Sequence, residues 1–188
     1  MRVLSGLNSH CILANVFEKV TLPDVPINHL EQMVAEWLEY NEFFVRRNVN
    51  VGTRKKGGYE GELDIVAFHP REKRLVHYET STDSNSWPER EIRFRKKFDA
   101  GRAHIHSLFQ GIEELPEKIE QHALLLYASN AKHKQVGGGI VISMDDMLKK
   151  IINDLKIKLT GNKVVPEQYP LLRTIHLIWL YRHDIFDK

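Results

Sequence analysis

An α/β domain with a mixed central sheet flanked by helices is the fold this sequence predicts, and three observations predict it. Runs rich in β-branched and aromatic residues recur between segments whose apolar residues repeat at helical spacing. Two of those runs, ELDIVAF and RLVHYETS, are separated only by the turn-like HPREK and read as an antiparallel hairpin. The later strand-like runs alternate with helices.

The elements follow in order. Residues 1–20 carry no clear period, and TLPDVPINH, with Pro23 and Pro26, is a connector. Asn28 is placed to cap HLEQMVAEWLEY, where Leu30, Met33, Val34, Trp37 and Leu38 form one helical face. FFVRRNVNVG reads as a strand, TRKKGGYEG as a turn, and the hairpin follows. A helix spans about Ser86 to Phe109, with Phe94, Phe98, Ile105 and Leu108 on its buried face. HALLLYAS is a buried strand, AKHKQVGGG a loop and IVIS a short strand. Ser143 caps SMDDMLKKIINDLKIKL, whose first turn carries two Asp that suit the helix dipole. LLRTIHLIWLY reads as a last strand. The order is α-β-β-β-α-β, then a helix and a strand. One domain covers 1–188, with a core of about 28–129, an N-terminal extension over 1–27, and 130–188 completing the fold.

With 188 residues, 42% hydrophobic and 28% charged, the chain has material for one real core. No apolar run approaches the ~18–20 residues that span a membrane, and the N-terminus makes a poor signal peptide. The single Cys11 cannot form an internal disulfide, so a reducing cytoplasm is expected. The net charge of +2 hides a local asymmetry. From Phe43 to Tyr59 stand five basic residues, Arg46, Arg47, Arg54, Lys55 and Lys56, and no acidic one. Such a stretch either grips phosphates or is a solvated hairpin tip.

Two acids interrupt the apolar hairpin. Asp64 lies in its first strand and Glu79 at the end of its second, with the turn near the midpoint between them. Residues so placed can face each other across strands about 4.8 Å apart. Facing carboxylates repel unless neutralised, and Mg²⁺ does this with oxygen ligands; the backbone carbonyl of Thr80 is a candidate third oxygen. The alternative is that one acid sits at an exposed strand end and the pair never meets.

From Asn28 to Ser129 the sequence resembles the PD-(D/E)XK nuclease superfamily, the restriction-endonuclease-like fold. A helical acid, Glu31, precedes three strands; Gly61-Glu62-Leu63-Asp64-Ile65-Val66 matches the second-strand motif; Glu79-Thr80-Ser81 stands where the family has E-x-K. Phe43 follows Glu31 by twelve positions, as in Holliday-junction-resolvase-like members. The resemblance implies phosphodiester hydrolysis in DNA with Mg²⁺ or Mn²⁺. Asp64 and Glu79 would hold the metal, and Glu31 would orient the water or bind a second ion. Ser81 departs from the motif, since it lacks the lysine's charge.

Some members of that superfamily supply the lysine from the next helix. In PEREIRFRKKFDAGRAHI, with Phe94 and Phe98 inward, Lys96 points to solvent and Lys97 lies on the flank with Arg90. A long side chain on a flank can run along the core and present its head at the sheet edge. Lys97 is therefore the expected substitute, with Ser81 orienting a water or phosphate oxygen. The alternative is that both lysines are solvated. Arg90 joins Arg46, Arg47, Arg54, Lys55 and Lys56 as an expected phosphate contact.

Other features carry less. Trp87 and Tyr59 read as structural, and Asp83 as a cap for the helix that begins near Ser86. His104 and His106 point to different helix faces, and His122 and His133 lack zinc-motif partners. VGGG lacks the Lys-Ser/Thr of a phosphate-binding loop. The expectation is a metal-dependent deoxyribonuclease, with nucleic acid as partner, no membrane, and a homodimer left open. Its rival is an inactive module of the same fold that binds nucleic acid or a protein.

Overall fold

Asn28 turns the chain into α1 (His29–Tyr40): its side-chain oxygen accepts the Leu30 N–H at 3.1 Å. The computed structural model describes residues 28–128, 132–159 and 164–186. The N-terminal extension and Cys11 lie outside the described residues. Three antiparallel strands follow α1: β1 (Phe44–Thr53), β2 (Tyr59–His69) and β3 (Arg74–Ser81). α2 (Trp87–His104) runs into a 3₁₀ turn, Ile105–Phe109, and leads to β4 (Ile119–Leu125), parallel to β3. β5 (Gln135–Val136) and β6 (Gly139–Ser143) form a hairpin whose second strand is parallel to β4. The result is a mixed six-stranded sheet, ordered β1-β2-β3-β4-β6-β5, with the expected α-β-β-β-α-β order at its heart.

Helices cover both faces. On one, Leu30, Met33, Val34, Trp37 and Leu38 of α1 pack with Ile65, Ala67, Val76 and Tyr78, joined by Met147, Ile151 and Leu155 of α3 (Met144–Lys158). On the other, Phe94 and Phe98 of α2 bury against Ala123, Leu125 and Val141, while Ile105 and Phe109 close over Val66, Phe68 and Leu75. Gly137 and Gly138 turn the β5–β6 hairpin at φ +58° and +88°. A side chain at Gly137 would also run into the α2 backbone at Phe94 and Arg95.

Two expectations are corrected. The segment read as a last strand is α4 (Pro170–Leu180), followed by α5 (Arg182–Phe186). Pro170 occupies its first turn, and the buried Glu36 of α1 accepts the N–H groups of Leu171 (2.9 Å) and Leu172 (3.1 Å). Leu171, Leu172 and Ile175, at helical spacing, pack on the α1 core. The second helix gives up its α-form at His104 and completes its run to Phe109 as 3₁₀. Among the described residues, no helix is long and apolar enough to cross a membrane.

Candidate active site

The sheet forks at the two acids. β2 and β3 pair from His69–Arg74 to Ile65–Tyr78, and the next step would pair Asp64 with Glu79. There the ladder stops. β3 continues beside β4 alone, and β2 from Leu63 back to Tyr59 continues beside β1 alone. Side chains take over the backbone groups that the fork strands: the Asp64 N–H donates to Glu79 Oε1 at 3.3 Å, and the Thr80 N–H donates to Asp64 Oδ2 at 2.8 Å.

Lys97 fills the fork. Its Nζ lies 2.5 Å from Asp64 Oδ1 and donates also to Glu79 Oε2. Because Phe94 and Phe98 anchor α2 on the sheet, the flank position sends the Lys97 stem along the core and its head to the carboxylates, while Lys96 stays exposed. Glu31, in the first turn of α1, is tied to the same place. Asn28 Nδ2 donates to Glu31 Oε1 at 2.6 Å and to Thr80 Oγ1 at 3.2 Å.

The charges are coupled. Burial pushes the Asp64 carboxyl up, the neighbouring Glu79 adds to this, and Lys97 offsets only part, so Asp64 sits above the usual range. Burial also pushes Glu79 up, but the His77 ring and the Lys97 ammonium outweigh it and hold Glu79 low. Glu31 is raised by burial and by Asp64. Burial works against the Lys97 charge, yet the attraction of Glu79 and Asp64 wins and its pKa is raised. Three carboxylates thus share one ammonium, a deficit of positive charge at the fork.

That deficit suits a divalent cation. Asp64 Oδ1 and Glu79 Oε2 converge on one point, the Lys97 Nζ. Among the described residues no group of three or more His, Cys, Asp or Glu side chains is gathered to hold a metal ion. Both are hard carboxylate oxygens, the donor type that Mg²⁺ and Mn²⁺ take, and not the nitrogen and sulfur set of structural zinc; Glu79 is fully buried and Asp64 nearly so. Thr80, expected to offer its carbonyl, meets Asp64 Oδ2 through its N–H and its hydroxyl. An open cleft of about 340 Å³, lined by Glu60, Gly61, Glu62, Asp64, Arg93, Lys96 and Lys97, leads to the fork.

Other expected residues lie elsewhere in the network. The Ser81 hydroxyl accepts the Asp83 N–H at 3.3 Å, a bond made to the β3–α2 loop. Asp83 does not cap α2. Ser86 does so, in a capping box with Glu89, and Asp83 binds Arg93 instead. Arg90, expected at phosphate, is buried, and its Nη2 donates to the carbonyls of Asp83 (2.8 Å) and Tyr127 (3.3 Å). A guanidinium so enclosed is a structural tie between the β3–α2 loop and the end of β4, not a phosphate contact. Arg46, Arg47, Arg54, Lys55 and Lys56 are all exposed on the β1–β2 ribbon, though Arg46 also donates to the Leu108 carbonyl at 3.0 Å. Trp87 stacks on His133 at 3.8 Å, and His104 and His106 bond separately to Glu60 and the Pro116 carbonyl.

Two residues near the fork escaped the reading of the sequence: His77 and Gln121. His77 is fully buried and bonds Glu79 Oε1 through Nε2 at 2.8 Å. The available signal was its place two residues before Glu79, on the same face of a strand.

No protein-family model matches the chain, and no curated protein does. Among solved structures, the chain is similar to the crystal structure of AF1548, a protein of unknown function. The likeness covers 78% of this chain and 77% of that one, at 14% identity and a TM-score of 0.42.

Proposed function

We propose that the protein is a Mg²⁺-dependent nuclease with a restriction-endonuclease-like core, hydrolysing phosphodiester bonds in DNA. The observation that carries this reading is the Lys97 ammonium bonded to both Asp64 and Glu79 at the fork. It supplies, from α2, the positive charge that Ser81 lacks on β3. Two carboxylates and a lysine on one point are the parts that metal-assisted phosphoryl transfer needs.

Asp64 and Glu79 would hold the ion, which when bound polarises the phosphate and lowers the pKa of a coordinated water. Lys97 stabilises the negative charge that develops on the phosphate oxygens. Glu31, raised by burial and by Asp64, is a better proton acceptor than an ordinary carboxylate and orients the attacking water. Arg47, Arg54, Lys55 and Lys56, exposed on a ribbon that runs past the fork, hold the phosphate backbone without reading sequence.

The test is cleavage of single-stranded, double-stranded and branched DNA, with RNA as a control, in Mg²⁺ and Mn²⁺. The wild type is expected to cut DNA and Asp64→Ala to be inactive. Cleavage that survives Asp64→Ala would refute the mechanism. DNA binding without cleavage under every condition would leave the protein as a binding module.

A further inference from the structure

Glu79 can act in the fork only if its Oε2 is aimed there, and a strand-end carboxylate has rotamers that would turn it away. The bonds beneath it form a chain. Gln121 Nε2 donates to the Phe98 carbonyl at 2.9 Å, and the Arg102 guanidinium donates to Gln121 Oε1. Those two partners accept and donate in only one sense, so they fix which end of the Gln121 amide is nitrogen. Its second N–H is then directed at His77 Nδ1, 3.2 Å away. An Nδ1 that accepts carries no proton, so the ring proton sits on Nε2, 2.8 Å from Glu79 Oε1. The helix makes room for the ring: Gly101 lies over it, and a Cβ there would come within 2.5 Å of His77 Nδ1.

We propose that His77 is a positioning residue whose Nε2–H, set by Gln121, holds Glu79 with Oε2 turned toward the cation site. His77 is fully buried and Gln121 largely so, and neither lines the cleft, so His77 works through Glu79. This rests on the nuclease reading for its consequence, not for its geometry. A ligand held by such an outer partner needs no reordering when the ion arrives, so the loss should appear in metal affinity.

The test has two arms. In metal-free protein labelled with ¹⁵N-histidine, His77 is expected to show a protonated Nε2 and a bare Nδ1, with the Hε2 resonance shifting in Glu79→Gln. By calorimetry with Mn²⁺, His77→Leu should weaken binding about tenfold, whereas His77→Gln, which keeps an N–H donor, should stay close to wild type. Urea midpoints show that each variant is folded. A proton on Nδ1, or a folded His77→Leu with wild-type Mn²⁺ affinity, overturns the proposal. If the wild type binds no Mn²⁺ while the tautomer and the Glu79→Gln shift are as expected, the nuclease reading falls and the positioning of Glu79 by His77 stands.

Discussion

Asp64 and Glu79 face each other one step past the last β2–β3 backbone pair, and each carboxylate accepts an N–H from the other's strand. The exchange lets the sheet part without stranding buried donors. It also fixes both carboxylates before any cation arrives, and it is the reason two acids can interrupt apolar strands in the core.

Lys97→Ala leaves those carboxylates with no counter-charge. Removing one partner of a largely buried pair costs about 3–5 kcal/mol; with the Lys97 side chain 31% exposed, the loss should fall below that range. Mg²⁺ should restore part of it in urea melts, because the cation replaces the ammonium. Cleavage should fall about 10²–10³-fold, the usual effect of losing one preorganised stabilising charge. Unchanged cleavage would remove Lys97 from the mechanism.

The two acids should behave oppositely in stability. Asp64 has a raised folded pKa, so its favourable contribution exists only below the ordinary aspartate range and is lost as pH rises through the folded value. At neutral pH its charge is a cost, and Asp64→Asn should raise the urea midpoint of metal-free protein, with the difference vanishing in acid. Glu79 has a lowered folded pKa, so it contributes above the ordinary glutamate range and loses this as pH falls through the folded value. Glu79→Gln should therefore destabilise at neutral pH. Both variants should lose Mn²⁺ binding, which calorimetry separates from their melts.

Much of this arrangement is legible in the sequence because it depends on local periods. The hairpin register that sets Asp64 against Glu79 follows from a turn midway between them, and the reach of Lys97 follows from its place between Phe94 and Phe98. The burial of Arg90 is not legible, since its acceptors are the carbonyls of Asp83 and Tyr127, brought together only by the fold. The helical form of α4 is hard to read because LLRTIHLIWLY is mostly apolar, broken only by Arg173, Thr174 and His176, and so short an apolar segment fits a strand as well as a helix. Pro170 and the spacing of Leu171, Leu172 and Ile175 were the weaker signals, and Glu36, far off in the chain, completes the helix start.

Gly101→Ala should be destabilising although alanine is the better helix former by about 1 kcal/mol. The new methyl group meets the His77 ring and the Gln121 amide, and overpacking of this kind costs about 1–3 kcal/mol. Adding His77→Ala to Gly101→Ala should recover part of the loss in a double-mutant cycle. Additive losses in that cycle would show that the methyl group does not press on the ring.

Ser81→Lys places the missing lysine on β3, two residues after Glu79 and on the same strand face. Ser81 is buried and bonded to Asp83, and Lys97 already neutralises the fork. Alone, the substitution should lower both stability and cleavage, because a second ammonium crowds the first. Combined with Lys97→Ala it should recover most of the activity that Lys97→Ala loses, since one cation again faces Asp64 and Glu79. The rate of the double variant against each single variant is the measurement. A double variant no faster than Lys97→Ala would mean that the position of the charge on α2, and not only its presence, is what the fork requires.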